Sequence, residues 1–290
     1  MSQKTDHTDP VAAAKALLPE LAARANEMDE VRRLPADLAC TMAEASVFRL
    51  VTPRRFGGLE ASPRTFVETV ETLSTANASA GWCCMIANTS ALNAAYMAPE
   101  EAEAIFDDPH VITGGVFAPM GRAVVEEGGY RVTGRWQWGS GSANSVWLGG
   151  GCTVWENGEM RRLPSGAPET LMAVFPAAEA ALLDTWHVMG LKGTGSGDFE
   201  VTDIFVPEGR CVRLAEGNPR ETGPLYKFPA FGFLSLGVCA AALGNARGSL
   251  DNFHALAMAK KNQGSAKNLH NQNFHNVHQQ SLIHSQFVLV

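Results

Sequence analysis

The stretch that decides the fold is Ala118–Gly151, APMGRAVVEEGGYRVTGRWQWGSGSANSVWLGGG. Gly128 and Gly129 lie between two runs of strand-forming residues, and the second run, 130–133, alternates aromatic or apolar side chains with polar ones. Turn glycines between such runs predict antiparallel strands. The segment therefore predicts a β-hairpin whose second strand leads into a loop of glycines and serines.

The tryptophans of this segment allow two interpretations. Trp136 and Trp138 pack in the core of the hairpin, or they form a flat apolar wall beside the hydroxyl of Ser140. A planar ring with polar atoms on its edge would bind such a wall. Ser140 is correspondingly either a functional hydroxyl or a loop serine that bonds its own backbone. The segment alone leaves both interpretations open.

Composition limits the partners that the chain can have. Of the 290 residues, 46% are hydrophobic, which is enough for a buried core. The net charge is −7, and the sequence contains no cluster of Lys and Arg. We therefore expect neither nucleic acid nor a membrane as a partner. We also expect no signal peptide and no apolar run long enough to span a membrane, which predicts a cytoplasmic protein.

The six cysteines are scattered, and none forms a C-x-x-C pair. This pattern predicts buried free thiols in a reducing compartment rather than a disulfide framework or a zinc site. Histidines cluster near the end of the chain, but their spacing does not match a standard metal site, so we expect no metal.

Residues 1–110 are predicted to form an N-terminal helical domain. Its clearest start signal is Ser62-Pro63, a serine at the N-cap followed by proline at the first helical position. A nearly uncharged, small-residue helix is predicted within 77–97. It either packs as plain core or contributes Trp82, Asn88 and Ser90 to the wall of a substrate pocket, because buried polar groups need partners.

Residues 111–214 are predicted to form a central β domain. Short strands separated by turn residues favour an antiparallel β-barrel or sandwich over a parallel sheet. The glycines of 190–197 do not connect a strand to a helix, so a dinucleotide-binding motif is excluded. Thr194 and Ser196 in this loop either bind a cofactor or form a simple turn.

The C-terminal part returns to helix. Residues 215–261 are predicted to begin a helical bundle that is incomplete, and 231–259 is so apolar that it needs partners around most of its circumference. Residues 262–290 form an atypical tail rich in Asn, Gln and His, which we interpret as a truncated or frame-shifted end. The fold class expected for the whole chain is α+β.

Six short motifs, taken in order, resemble the acyl-CoA dehydrogenase superfamily over roughly residues 10–260. They are Pro53–Gly58, Ser79–Trp82, Pro119–Ala123, Gly128–Trp136 with Ser140-Gly141, Gly190–Ser196 and Val206–Glu208. More narrowly, the chain resembles the flavin-dependent monooxygenase branch: oxygenase components of two-component aromatic hydroxylases and dibenzothiophene-type monooxygenases. The dehydrogenases usually carry Thr-Glu-Pro and Gly-Ser-Asp where this chain has residues 118–122, and that departure favours the monooxygenase branch.

The resemblance implies a flavin site on the β domain. The Trp-x-Ser/Thr flavin contact of the dehydrogenases corresponds to Trp138-Gly139-Ser140, with Ser140 as the catalytic hydroxyl near the flavin N5 edge. A strand-end contact corresponds to Phe117-Ala118-Pro119. Thr194 and Ser196 would contact the ribityl chain or phosphate, and any catalytic base of the late helical bundle would lie beyond residue 260.

The resemblance also implies an activity. It is hydroxylation of an aromatic or heteroaromatic small molecule with O₂ and reduced FMN or FAD, which a separate NAD(P)H:flavin reductase supplies. The intact relatives are expected to be homotetramers. The alternatives are an acyl-CoA dehydrogenase-like enzyme with tightly bound FAD, and an inactive truncated scaffold.

Overall fold

The computed structural model describes residues 9–214 and 218–260. The helices are α1 (Pro10–Ala23), α2 (Ala25–Val31), α3 (Ala36–Glu44), α4 (Pro63–Ala76), α5 (Ala78–Ala91), α6 (Pro99–Phe106) and α7 (Ala230–Ala259). The strands are β1 (Thr113–Glu126), β2 (Gly129–Trp136), β3 (Trp147–Glu156), β4 (Glu159–Met160), β5 (Thr170–Pro176), β6 (Ala181–Leu183), β7 (Asp198–Pro207) and β8 (Cys211–Val212). The predicted tail, 262–290, lies outside the described residues. The boundaries of the four regions drawn from the sequence stay predictions.

The N-terminal helices begin where capping residues allow it. The Ser62 hydroxyl accepts a hydrogen bond from the Thr65 amide at 3.1 Å, and Pro63 opens α4 as the sequence predicted. Asn77 caps α5, and its Oδ1 accepts from the amides of Ser79 and Ala80. Such caps satisfy N–H groups that have no partner inside the helix, so the start of α5, which carries Trp82, is fixed.

The strands form one sheet in the order β6-β7-β2-β1-β3-β5-β8, with β4 paired to β3. The predicted α+β class and the order helices, sheet, helix are confirmed. The sheet differs from the expected antiparallel barrel or sandwich in two respects: its path through the described residues does not close, and β1 and β3 are parallel. The parallel pair arises because β2 returns along one edge of β1, so that β3 runs in the direction of β1 on the other edge.

Strand β1 contains a bulge of four residues. Val116 pairs with Gly150 and Gly121 pairs with Cys152, so the four residues 117–120 of β1 lie opposite the single residue 151 of β3. The segment Phe117-Ala118-Pro119 therefore lies in a bulge within β1 and not at a strand end, which corrects the expectation from the sequence. The bulge needs a glycine opposite it, since a Cβ at position 151 would overlap the Phe117 carbonyl oxygen.

Trp136 lies at the centre of the core of the sheet. Its side chain is fully buried, and its ring stacks on Phe199 with centroids 5.2 Å apart. A Cβ added at any of the three glycines around the ring would overlap the indole. These are Gly121, Gly134 and Gly150, one from each of β1, β2 and β3. The core interpretation is therefore confirmed for Trp136, which is not available as a wall for a ligand.

The long helix α7 is covered along one face. Glycines on that face approach the backbone of α4 so closely that a Cβ at Gly244 would overlap the Glu71 carbonyl oxygen. The opposite face leaves Val238, Leu243 and other large apolar side chains exposed. By length and composition alone, α7 could cross a membrane, contrary to the expectation of no such run, but core helices of soluble proteins pass the same test.

All six cysteines are free thiols. Four are buried, as expected, but Cys40 and Cys239 are exposed, so the prediction of burial is wrong for these two. Burial raises the pKa of Cys83 and of Cys152 to about 12, which leaves almost no reactive thiolate near neutral pH. Within residues 9–214 and 218–260, no group of three or more His, Cys, Asp or Glu is arranged to hold a metal ion.

Gly150→Ala tests the packing around Trp136. The added methyl overlaps the indole ring, so we expect the free energy of unfolding to fall by about 1–3 kcal/mol in urea denaturation. Gly190→Ala is the matched control, because its methyl meets nothing within 4 Å. Equal stability of the two variants would contradict the close contact between β3 and the indole.

Thiol counting tests the burial of the cysteines. In the native protein at pH 8 we expect a disulfide reagent to label Cys40 and Cys239 rapidly, since these two are exposed. All six should react after denaturation. Rapid labelling of more than two thiols in the native protein would contradict the burial described for the other four. Protection of Cys239 would show that the exposed face of α7 is covered in solution.

Candidate functional site

Two loops of the sheet meet beside helix α5. One loop, 137–146, connects β2 to β3, and the other, 190–197, precedes β7. Their backbones are joined directly: the Gly139 amide donates to the Gly197 carbonyl at 2.9 Å, and the Gly141 amide donates to the Thr194 carbonyl at 2.8 Å. Ser140 lies between these two bonds and is thereby held opposite Ser196.

A continuous row of hydrogen bonds runs through this junction. The indole Nε1 of Trp82 donates to Ser140 Oγ at 3.0 Å. Ser140 Oγ lies 2.6 Å from Ser196 Oγ, which lies 2.6 Å from Thr194 Oγ1. The Thr194 hydroxyl donates to the Leu191 carbonyl at 2.8 Å. We call these three side chains, Ser140, Ser196 and Thr194, the hydroxyl chain.

The hydroxyl chain has a single direction, set by its two ends. A carbonyl oxygen can only accept a hydrogen bond. The Thr194 hydroxyl therefore uses its one proton to donate to the Leu191 carbonyl. Ser196 must then donate to Thr194, and Ser140 must donate to Ser196. The indole N–H can only donate, which agrees with its place at the other end. Every proton of the chain is therefore assigned.

One consequence concerns Ser140. Its oxygen has two lone pairs and one proton. The proton points to Ser196 and one lone pair receives the Trp82 N–H, so what remains is a single acceptor position. Ser140 can therefore accept one more hydrogen bond, from a group that carries a proton, but it cannot donate one without reversing the whole chain.

The expected cofactor residues differ in their exposure. Thr194 and Ser196 are 1% and 3% exposed, and their hydroxyls are already paired within the protein. Ser196 bonds Ser140 and Thr194, and Thr194 bonds Ser196 and the Leu191 carbonyl. Trp138 has the opposite character: it is 64% exposed and has a left-handed backbone with φ of 63°. Phe117 and Pro119 in the β1 bulge are also exposed. The structure joins Ser140, Ser196, Thr194 and Trp82 into one network.

A cavity of about 180 Å³, lined in part by Trp82, lies between α5, the sheet and α7. Most of its lining is apolar: Trp82, Met85, Ile86, Phe117, Met172, Leu214, Leu234 and Val238. Three polar side chains, those of Thr89, Ser90 and Asn93, complete the lining on the α5 side. None of the described residues that line it is ionisable. Phe117 also meets Phe231 of α7 edge to face, with centroids 5.2 Å apart.

Asn88 does not line this cavity. It is fully buried, and its side-chain amide bonds the backbone. Oδ1 accepts from the Leu50 amide, and Nδ2 donates to the carbonyls of Val47 and Cys84, each at 2.8 Å. Asn88 thus ties α5 to the turn at 47–51. These contacts give Asn88 a structural role in place of the substrate contact expected from the sequence.

Sequence reasoning missed Thr89 and Asn93. A signal for them existed, because Trp82, Ile86, Thr89 and Asn93 follow one another at intervals of three or four residues and so share one helix face. Asn88 is six residues from Trp82 and lies on a different face. Once Trp82 is placed at the pocket, helical periodicity favours Asn93 over Asn88.

Comparison with known proteins agrees with this geometry. Residues 10–103 match the sequence model of a family described as acyl-CoA dehydrogenase, N-terminal domain. The indole-3-acetate monooxygenase of Pseudomonas putida is 34% identical over 239 residues, 82% of this chain and 59% of that protein. The flavin-dependent monooxygenase, oxygenase subunit HsaA, of Rhodococcus jostii (strain RHA1) is 33% identical over 245 residues, 81% of this chain and 62% of that protein.

Residues 10–103 of this chain therefore belong to the acyl-CoA dehydrogenase N-terminal domain family. Among solved structures, XiaF from Streptomyces sp. in complex with FADH2 and glycerol has a TM-score of 0.81 at 26% identity, covering 96% of this chain and 70% of that one. The resemblance to the monooxygenase branch of the superfamily is thereby confirmed. The chain spans about three-fifths of the length of the curated relatives it matches, 59% and 62% for the two named above.

Thr194→Val tests the hydroxyl chain. The substitution keeps the branched shape but removes the group that accepts from Ser196 and donates to Leu191. We expect the free energy of unfolding to fall by about 1–3 kcal/mol, because buried polar groups lose their partners. Thr194→Ser retains the hydroxyl and should lose less. Denaturant unfolding of both variants makes the comparison, and equal losses would contradict the role of the hydroxyl.

Proposed function

We propose that this chain is the oxygenase component of a two-component flavin-dependent monooxygenase. It would hydroxylate an aromatic or heteroaromatic small molecule with O₂ and reduced FMN or FAD. The observation that carries the proposal is the position of Trp82: the N–H of its indole fixes Ser140, while its ring lines an uncharged cavity. Trp82 thus contacts both a hydroxyl with one free acceptor position and an apolar pocket.

The residues at this junction fit a reduced flavin better than an oxidised one. In the reduced ring N5 carries a proton, whereas in the oxidised ring N5 is only an acceptor. Ser140 has an acceptor position to offer and no spare proton, so its hydrogen-bonding capacity matches N5–H. Trp138 and the bulge residues Phe117, Ala118 and Pro119 would hold the ring through their exposed apolar surface. When bound, the reduced flavin supplies the electrons that allow O₂ to transfer one oxygen atom to the substrate.

The protein itself would contribute orientation and the exclusion of water. The cavity wall is apolar over most of its area and carries no ionisable side chain among the described residues. Such a pocket favours an aromatic ring and keeps bulk water from the reacting groups. Ser140, held by Trp82 and Ser196, would keep a proton in place at N5.

The expected partners follow from the same proposal. The name of one relative, an oxygenase subunit, supports a separate NAD(P)H:flavin reductase as the source of reduced flavin. A homo-oligomer is supported by the exposed apolar face of α7, since an apolar surface of this kind marks an interface. The tetramer is the form that the family resemblance implies. The free thiols support a reducing, cytoplasmic location.

An acyl-CoA dehydrogenase-like activity is the second candidate, because the matched family model bears that name. Such an enzyme would hold oxidised FAD tightly and needs a base to remove a proton from its substrate. The curated relatives named above are monooxygenases and not dehydrogenases, which ranks this candidate below the monooxygenase.

Flavin binding under anaerobic conditions tests the proposal. We expect the purified chain to bind reduced FMN or FAD at least about tenfold more tightly than the oxidised form, followed by absorbance and fluorescence. Ser140→Ala should weaken binding of the reduced form by about tenfold, roughly 1.4 kcal/mol, and leave the oxidised form nearly unchanged.

Ser249→Ala is the control for this titration, because it removes an exposed hydroxyl on α7 that bonds only within its own helix. It should preserve the preference for reduced flavin. Tight binding of oxidised FAD by the unmodified chain would favour the dehydrogenase-like candidate. Failure to bind any flavin would favour the inactive scaffold.

A further inference from the structure

Leu191 holds a backbone conformation that leucine seldom adopts. Its φ is 53° and its ψ is 31°, in the left-handed region that favours glycine. Such strain persists only where neighbouring groups impose it. The Leu191 carbonyl oxygen accepts from the Thr194 hydroxyl at 2.8 Å, from the Thr194 amide at 3.1 Å and from Trp186 Nε1 at 3.0 Å. These bonds hold the carbonyl at the end of the hydroxyl chain.

The Trp186 indole belongs to a segment without regular structure. Residues 184–190 lead from β6 towards the hydroxyl chain and belong to no helix or strand. Most of their side chains are exposed, and Met189 is 98% exposed. The Thr185 hydroxyl donates to Asp198 Oδ1 at 2.9 Å, which ties the start of the segment to β7. The position of Trp186 needs a further contact.

Arg32 supplies that contact from the helical part of the chain. Its guanidinium donates to both carboxylate oxygens of Asp184, from Nη1 at 2.6 Å and from Nη2 at 2.8 Å. Nη1 also donates to the Trp186 carbonyl at 3.0 Å, and the His187 ring lies beside it with Nδ1 at 3.3 Å. Paired bonds from arginine to a carboxylate fix geometry as well as charge. We call the bonds of Arg32 to Asp184 and Trp186 the Arg32 anchor.

We propose that Arg32 is a positioning residue whose anchor makes Ser140 bind reduced and not oxidised flavin. The proposal rests on the proposed function, because it explains the selectivity of the same site. Arg32 holds Trp186, whose indole holds the strained Leu191 carbonyl. That carbonyl takes the Thr194 proton and so sets the direction of the hydroxyl chain.

Release of the carbonyl would reverse the hydroxyl chain. Without the Leu191 acceptor, the Thr194 hydroxyl donates to Ser196. Ser196 in turn donates to Ser140, which also accepts from Trp82, so both lone pairs of Ser140 are occupied and its own proton is free. A free proton matches N5 of the oxidised ring, which is an acceptor, and not N5–H of the reduced ring. The two directions of the hydroxyl chain therefore select opposite forms of the flavin.

Arg32→Met tests the anchor, because it keeps the aliphatic stem and removes the donors. In anaerobic titrations with FMN and FAD, followed by absorbance and fluorescence, we expect opposite changes for the two forms. The reduced form should bind about threefold more weakly and the oxidised form about threefold more tightly, so the preference for reduced flavin shrinks about tenfold. Asp184→Asn, at an exposed residue, should shift both affinities in the same directions. Equal weakening of both forms, or no change in either, would overturn the proposal.

Leu191→Asn provides a rescue that a merely structural role would not give. Asparagine adopts the left-handed conformation more readily than leucine, so the carbonyl then needs less support from Arg32. In the Arg32→Met background, Leu191→Asn should restore most of the preference for reduced flavin. A double variant that binds both forms as Arg32→Met does would count against the proposal.

Arg64→Met is the matched control. It breaks an exposed ion pair between Arg64 and Glu68 on α4, so both flavin affinities should stay unchanged. Hydrogen exchange of the Thr194 amide gives a readout that needs no flavin. It should be about tenfold faster in Arg32→Met than in Arg64→Met, because the bond of this amide to Leu191 opens more often.

The two proposals can fail separately. Selective binding of reduced flavin that Arg32→Met leaves unchanged would remove the role of Arg32 and keep the monooxygenase. If the unmodified chain binds no flavin, the monooxygenase fails and the selectivity proposed for Arg32 fails with it. Faster exchange of the Thr194 amide in Arg32→Met would then leave only the support of Leu191, and equal exchange would remove that too.

Discussion

The close contact between one indole and three glycines sets the geometry of the sheet. Trp136 fills the space that side chains at Gly121, Gly134 and Gly150 would occupy, and its Nε1 donates to the Gly151 carbonyl at 2.7 Å. The ring can pack against β1, β2 and β3 at once only because each of these strands carries a glycine there. Because β2 ends at Trp136, the loop that carries Ser140 starts from a position fixed in the core.

The candidate site depends on a second fixed point, in the helical part of the chain. Asn77 caps α5 and so fixes the turn that carries Trp82, whose indole reaches Ser140 across the boundary between helices and sheet. The site is therefore not a property of the sheet or of the helices alone. A shift of α5 relative to the loops would change the hydroxyl chain and the cavity together, since Trp82 donates to the first and lines the second.

Local signals in the sequence predicted much of the fold and less of the site. Ser62-Pro63 and Gly128-Gly129 predicted a helix start and a hairpin, because capping and turn geometry depend on neighbours in the chain. The parallel pairing of β1 and β3 was not predictable in this way, as it depends on which edge of β1 is free. Asn88 was assigned to the pocket for a similar reason: its partner Val47 lies 41 positions earlier, and no local pattern shows it.

The hydroxyl chain has a consequence for how this site tolerates change. An indole can only donate and a carbonyl can only accept, so the two ends impose one polarity on everything between them. The interior members need only one proton and one lone pair for the chain, and serine and threonine meet that need equally. Drift between these two residues at positions 140, 194 and 196 would thus keep the polarity. Replacing Trp82 by a residue without an N–H would also keep it, because the Leu191 carbonyl sets the direction, but would leave Ser140 with two free acceptor positions in place of one.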